Sequence, residues 1–243
     1  MDFIGLVSGG KDSIYSIKCC IDKGHKLVGI LYMLNPSPYV DSYMYQTVGS
    51  EIVKLFGDCL DVPLFIYETE CNAANQDLIY QENAKDEVED LYKALSEIKR
   101  KINFQAVSSG AILSRYQKNR VENVANRLGI SSMAPLWNFD QKKLLKEMID
   151  YGLEAVLVKV ASSSLDKSYL GKPIENIYSS NVLLDGNYCG EGGEYETVVL
   201  NCPLFKYKIC YTDFDVVNHP DEDFEHGTVF YITFNGLKLE KKQ

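Results

Sequence analysis

The stretch FIGLVSGGKDS, residues Phe3 to Ser13, passes from an apolar run through a glycine turn into a segment where Ile14, Ile17 and Ile21 share one helical face. Strand, turn and helix in that order predict the first half of a βαβ unit. Gly9 and Gly10 let the backbone approach an anion, the N–H groups of the turn and first helical turn point toward it, and the helix dipole favours negative charge there. Lys11 adds a mobile positive charge. The stretch therefore reads as a phosphate site made of Ser8, Gly9, Gly10, Lys11, Asp12 and Ser13.

Gly5, Gly10 and Lys11 keep the G-x-x-x-x-G-K spacing of a Walker A loop, but Asp12 stands where that loop has Ser or Thr. A carboxylate among phosphate-cradling groups repels the nucleotide unless a divalent cation lies between them, so Asp12 is expected to be a metal ligand. The plainer alternative is a Ser/Gly turn in which Asp12 or Ser13 caps the helix. As written, Ser8 to Ser13 resembles the SGGxDS signature of the ATP pyrophosphatase, or PP-loop, superfamily, whose members split ATP between its α and β phosphates.

Working outward, apolar runs alternate with amphipathic segments. Strands are expected at Leu27–Met33, Val62–Tyr67 and Phe104–Val107, with helices through Val88, Leu91, Leu95 and Ile98 and through Val121, Val124 and Leu128, the last closed by Gly129. This rhythm implies a mostly parallel sheet with helices on both faces, where ligands sit at the carboxyl ends of the strands. After Trp137 the texture changes to a helix, the strand-like Leu153–Val160 and short β-rich runs at Thr197–Leu200, Phe205–Tyr211 and Val229–Phe234. The expected organisation is a nucleotide-binding domain over 1–137 and a smaller α+β domain over 138–243. Asp213 to Gly227 is expected to be a solvated acidic loop and Lys238 to Gln243 a fraying tail.

The 243 residues carry a net charge of −9 and no run of five Lys or Arg, so no nucleic-acid surface is expected. Seven cysteines without C-x-x-C spacing, and no signal-like N-terminus, fit a reduced cytoplasmic setting. No apolar stretch reaches the roughly 18 residues that span a bilayer, so a soluble protein is expected. His25, His219 and His226 show no metal-ligand spacing.

Three further clusters carry candidate chemistry. Gly190 to Thr197, GEGGEYET, sets three carboxylates and a tyrosine among glycines. Period-two geometry puts Glu194 and Glu196 on one face and Tyr195 on the other, so Glu191, Glu194, Glu196 and Tyr195 can hold a metal, an ammonium ion or a cationic substrate. A glycine-rich hairpin with solvated acids is the alternative. Ser108 to Glu122 leaves a strand and enters a helix; there Ser108 and Gly110 can admit adenine or the α-phosphate, and Lys118 or Arg120 can offset leaving-group charge, unless these cations are simply exposed. Asp41 to Glu51, including Tyr45 and Gln46, follows the second strand and can line the substrate side or begin a helix.

SGGKDS at 8–13, DSYMYQTVGSE at 41–51, DEVEDLY at 86–92, GAILSRYQKNRVENVANRLG at 110–129 and CGEGGEYETVVLNCPLF at 189–205 together resemble the diphthine–ammonia ligase family. Arg115 and Tyr169 depart from its pattern in the lining of the substrate groove. The resemblance implies a Rossmann-like fold of the adenine nucleotide alpha hydrolase type. It also implies amidation of the diphthine on translation elongation factor 2, through an acyl-adenylate, with ATP, Mg2+ and free ammonium. Diphthine carries a quaternary ammonium, a partner for Glu191, Glu194, Glu196 and Tyr195. Lys11, Asp12, Glu194 and Glu196 are then the catalytic candidates, and Tyr45, Gln46, Glu191 and Tyr195 the substrate contacts. Rival expectations are a PP-loop RNA-modifying enzyme, whose sulfur-transferring forms need reactive cysteines, and a non-catalytic ATP sensor.

Overall fold

In the computed structural model, β1 (Asp2–Leu6) feeds α1 (Lys11–Asp22), as the glycine turn requires, and the chain returns as β2 (Lys26–Leu34) parallel to β1. The elements that follow are α2 (Ser50–Val53), α3 (Phe56–Leu60), β3 (Leu64–Glu68), α4 (Glu87–Lys101), β4 (Ala106–Ser108), α5 (Arg115–Leu128) and β5 (Ser131–Met133). Then come α6 (Gln141–Asp150), β6 (Glu154–Val160), α7 (Glu175–Ser180), β7 (Tyr195–Asn201), β8 (Tyr207–Cys210), β9 (Asp213–Asn218), β10 (Phe230–Asn235) and β11 (Lys238–Lys241). The structure describes residues 1–35, 44–46, 48–69, 73–180, 182–183, 186–218 and 229–242. No helix among them is long and apolar enough to cross a membrane.

The chain forms two compact units. The first comprises Met1–Ser8, Asp12–Thr47 and Val62–Trp137; the second comprises Gly9–Lys11, Val48–Asp61 and Asn138–Gln243. Two stretches of the N-terminal half, including the centre of the glycine turn, thus group with the later residues.

The first unit is built on a five-stranded sheet of order β3-β2-β1-β4-β5, parallel throughout. Strand order reverses between β1 and β4, so the loops leaving these two strands flank the switch point where such sheets bind ligands. Val88, Leu91, Leu95 and Ile98 of α4 are fully buried in a core shared with Ile4, Leu31, Phe104, Val107 and Val124. At about 1.5–3 kcal/mol per buried apolar side chain, this outweighs the tenths that propensity contributes to each helical position. Asp86 caps α4 by accepting from Val88 N (3.0 Å), and its charges follow the macrodipole, with Glu87, Glu89 and Asp90 in the first turn and Lys99, Arg100 and Lys101 in the last. Helix α5 starts on Ser114, which accepts from Gln117 N, and stops at Gly129 with φ 63°. Gly5 lets α1 lie close, because a Cβ there would stand 2.6 Å from Ile17 Cδ1.

The second unit holds an antiparallel sheet of order β7-β6-β10-β9 and the antiparallel pair β11-β8. Two expectations are corrected here. Asp213–Asn218 is a strand paired along its length with β10, and the rest of the expected acidic loop, 219–227 with His219 and His226, lies outside the described residues. Lys238–Lys241 is a strand on β8, with Lys242 Nζ donating to Cys202 O at 2.7 Å, not a fraying tail.

Arg127 on α5 grips Glu89 on α4 with two hydrogen bonds, 2.7 and 2.8 Å, and Tyr80 donates to the same carboxylate at 2.9 Å. The Arg127 bonds hold Glu89 below its ordinary pKa of 4.5. A carboxyl lowered by folding contributes stability above the unfolded value and loses it as pH falls through the folded one. Glu89→Gln is expected to cost about 2 kcal/mol at pH 7 and to flatten the acid limb of stability; chemical denaturation at pH 7 and below pH 4 checks both.

Candidate nucleotide site and its supporting loop

Residues singled out in the sequence fall in both units. In the first, Ser8 leaves β1 and its N–H donates to Ser13 Oγ at 3.4 Å, while Ser16 Oγ donates to Ser109 O at 2.7 Å and ties α1 to the loop after β4. Gly110 sits against the start of α1 so closely that a Cβ would lie 2.9 Å from the Asp12 carbonyl carbon and from Ser13 N. Only glycine fits. Ser108 and Ser109, 1% and 7% exposed, bury hydroxyls that find no hydrogen-bond partner among the described residues. Orphan buried hydroxyls at the end of a strand beside the switch point suit a polar ligand. Gly110 is thus brought to Asp12 and Ser13, and Ser109, which only its place beside Ser108 signalled, is tied to α1 through Ser16.

In the second unit, Gly9 adopts φ +100°, and its carbonyl accepts from Val199 N at 2.9 Å. A Cβ on Gly9 would come within 2.9 Å of Val53 Cγ2. Lys11 is 2% exposed; its N–H donates to Thr197 Oγ1 at 3.1 Å, its Nζ donates to Cys189 O, and that ammonium lies 4.9 Å from the Tyr195 ring centroid. The N–H groups of Ser8 and Lys11 are therefore engaged within the protein. The expectation that the turn's N–H groups point at an anion is corrected for these two.

In the GEGGEYET cluster, Glu194, Tyr195 and Glu196 have partners within the protein. Tyr195 is 3% exposed, and the cation over its ring is Lys11; its hydroxyl donates to Tyr188 O. Glu194 turns back on its own loop, accepting from Asn187 Nδ2 at 2.7 Å and Gly192 N at 2.9 Å. Glu196 pairs with Lys159 across the β6–β7 ladder at 3.3 Å. Glu191 is half-buried in the same loop. The alternation correctly separates Glu196 from Tyr195 and Thr197 along β7, but it carries no information about Cys189, Asn187 or Gln141, which fix the loop from elsewhere.

Two cations expected near the nucleotide have other partners. Arg120 is wholly buried, its guanidinium stacked 3.3 Å from the Tyr116 ring centroid and donating to Asp77 O at 3.1 Å and to Asn75 O. It staples the 73–80 segment. Lys118 pairs with Glu122 and lies 5.2 Å from the Trp137 ring centroid. Tyr45 donates to Glu87 O at 3.2 Å and packs, half-buried, on the first unit's core, with Gln46 next to it; Asp41, Ser42, Tyr43 and Thr47 lie outside the described residues. Of the two departures, Arg115 is exposed and Tyr169 is half-buried under Lys172.

Among the described residues no three His, Cys, Asp or Glu side chains form a metal-binding group. Burial raises the thiols of Cys20 and Cys202 to about 11 and that of Cys59 to about 12. These three are protonated at neutral pH and supply no thiolate of the kind sulfur transfer requires. Cys71 lies outside the described residues.

Residues 1–132 match the model of the diphthamide synthase N-terminal domain, and residues 140–227 that of the diphthamide synthase C-terminal domain. The chain is 44% identical to a Schizosaccharomyces pombe protein named diphthine–ammonia ligase, aligned over all of this chain and 40% of that protein. It is 41% identical to the Bos taurus and 42% identical to the Danio rerio proteins of the same name, over all of this chain and 94% and 98% of theirs. A solved structure described as a predicted subunit of tRNA methyltransferase from Methanocaldococcus jannaschii superposes with a TM-score of 0.43 at 16% identity, over 84% of this chain and 98% of that one, a likeness too low to bear on the fold. Matched along its whole length by these relatives and over most of it by both domain models, the chain belongs to the diphthine–ammonia ligase family of carbon–nitrogen ligases.

Proposed function

We propose that this chain amidates the diphthine residue of translation elongation factor 2 with free ammonium, using ATP through an acyl-adenylate and releasing AMP and pyrophosphate. The observation that carries this reading is the buried ammonium of Lys11, held at the first position of α1 in the turn that follows the central strand β1. A fixed cation at a helix N-terminus is matched to the charge on a departing pyrophosphate.

A carboxylate is a poor acyl electrophile. In this reading a diphthine carboxylate oxygen attacks the α-phosphorus of ATP, the bond from that phosphorus to the bridging oxygen breaks, and pyrophosphate leaves beside Lys11. Ser108, Ser109 and Gly110 seat the nucleotide; the two orphan hydroxyls gain partners, and the missing Cβ of Gly110 lets its loop lie against the start of α1. Ammonia then attacks the acyl carbon, AMP departs with the bonding pair, and the nitrogen loses a proton to solvent to leave the amide. Ammonia at an activated acyl group needs orientation more than a base.

Asp12, half-buried at the turn, fits a magnesium ion, because Mg2+ commonly takes one or two carboxylates and completes its shell with phosphate oxygens and water. When bound, the ion supplies charge neutralisation to the phosphates. Glu191 attracts the trimethylammonium of diphthine, and Tyr45 and Gln46 contact the protein substrate. Glu194 and Glu196 act through the partners they hold. The setting is cytoplasmic.

Incubation with ATP, ammonium and diphthine-bearing elongation factor 2 is expected to give AMP and pyrophosphate in step with amide formation; ADP as the product would refute adenylation. Lys11→Met should lower kcat on the order of 100-fold, as for loss of one preorganised donor to developing charge. Gly110→Ala pushes a Cβ into the backbone at Asp12 and Ser13 and should weaken ATP binding about tenfold or more, since that shift can be relieved only by moving the turn; isothermal titration with a non-hydrolysable ATP analogue measures it.

A further inference from the structure

Gln141 opens α6, 130 positions beyond Lys11 in sequence, and is 7% exposed with both ends of its amide engaged. Its Oε1 accepts from Cys189 N at 2.8 Å, its Nε2 donates to Asn187 Oδ1 at 3.1 Å, and its backbone carbonyl accepts from the Cys189 thiol at 3.4 Å. The 188–189 peptide is thereby pinned at both ends, its N–H by Gln141 and its carbonyl by the Tyr195 hydroxyl. The Lys11 ammonium donates to Cys189 O and lies over the Tyr195 ring, so both of these groups are set by the pinned peptide.

We propose that Gln141 is a positioning residue for Lys11, and that Asn187 and Glu194 fix the direction of the hydrogen-bond chain through which it acts. The inference rests on the reading of Lys11 as a phosphate-holding group. Direction follows from donor and acceptor chemistry. The Cys189 N–H needs an acceptor, so Gln141 presents Oε1 to it and must offer Nε2 to Asn187. Asn187 then accepts with Oδ1 and donates with Nδ2, and the chain can end only on an acceptor. Glu194 is that terminus, with its second oxygen taken by Gly192 N. The carboxylate is thus explained without proton transfer.

The chain can be reversed by moving the carboxylate from one end to the other. Gln141→Glu removes the donor facing Asn187, and Glu194→Gln removes the acceptor-only terminus. Each single change leaves one like-facing pair however the Asn187 amide turns. With both changes, Asn187 flips, donates to position 141 and accepts from position 194, while Cys189 N and Gly192 N keep acceptors.

The test measures ATP-analogue affinity, kcat and Tm for the full chain carrying Gln141→Glu, Glu194→Gln, both, or the neutral Gln141→Met. Each single variant is expected to weaken nucleotide binding about tenfold, and the double variant to return to within about threefold of the unaltered protein. In a Lys11→Met background, Gln141→Met should bring no further loss, because the group it positions is gone. Unchanged affinity in the single variants, a lowered Tm alone, or a double variant no better than the worse single overturns the proposal. If the Gln141→Glu chain does not fold, Gln141→Met with and without Lys11→Met decides: additive losses overturn the proposal. Lys11→Met with unaltered nucleotide affinity would instead remove the reading of the turn itself.

Discussion

A lysine ammonium removed from water is the constraint on which the candidate site depends. Desolvating a charge costs several kcal/mol even after relaxation, and Lys11 is 2% exposed. What offsets that cost is local: a peptide carbonyl from Cys189, the face of Tyr195 and, for the backbone, the hydroxyl of Thr197. Tyr195 and Thr197 share a face of β7 because side chains alternate along a strand. β7 in turn is held against β6, whose residues from Ala155 to Val160 are all buried. The glycine turn is therefore half of an arrangement whose other half lies more than 170 residues later in the chain.

How much of this was legible in the sequence depended on how local the determinants are. SGGKDS between an apolar run and a helical pattern announces strand, turn, helix and anion site, because glycine conformation and the helix dipole act over a few residues. The helices at Val88–Ile98 and Val121–Leu128 were legible for the same reason, each carrying its own apolar stripe and stop signal. The strand at Asp213–Asn218 was not, because DFDVVN places acids at alternate positions and is defined by its partner FYITFN, across a connection of more than ten residues. KLEK at 238–241 is polar on inspection and becomes a strand only through YKIC at 207–210.

The acidic loop shows a different limit. Period-two reasoning set Glu196 opposite Tyr195, as the ladder has them, and Glu194 beside Glu196, whereas Glu194 precedes β7 and turns back on its own loop. It could not say what covers each face. Three carboxylates in eight residues suggested a cation trap open to a ligand, whereas Glu194 closes a turn, Glu196 meets Lys159, and the cation received by Tyr195 is the protein's own. Arg120 illustrates the same point in the first unit. A basic helix residue near a strand end reads as a phosphate contact, yet its guanidinium stacks on Tyr116 and donates to the carbonyls of Asn75 and Asp77.

In the proposed mechanism adenylation precedes attack by ammonia, and it is reversible as long as the acyl-adenylate persists and pyrophosphate can rebind. Exchange of labelled pyrophosphate into ATP, measured with diphthine-bearing elongation factor 2 and no ammonium, reports that step alone. Exchange is expected to require the modified factor and to fall on the order of 100-fold in Lys11→Met. No exchange in the complete system without ammonium, with amide still formed when ammonium is added, would contradict a free acyl-adenylate.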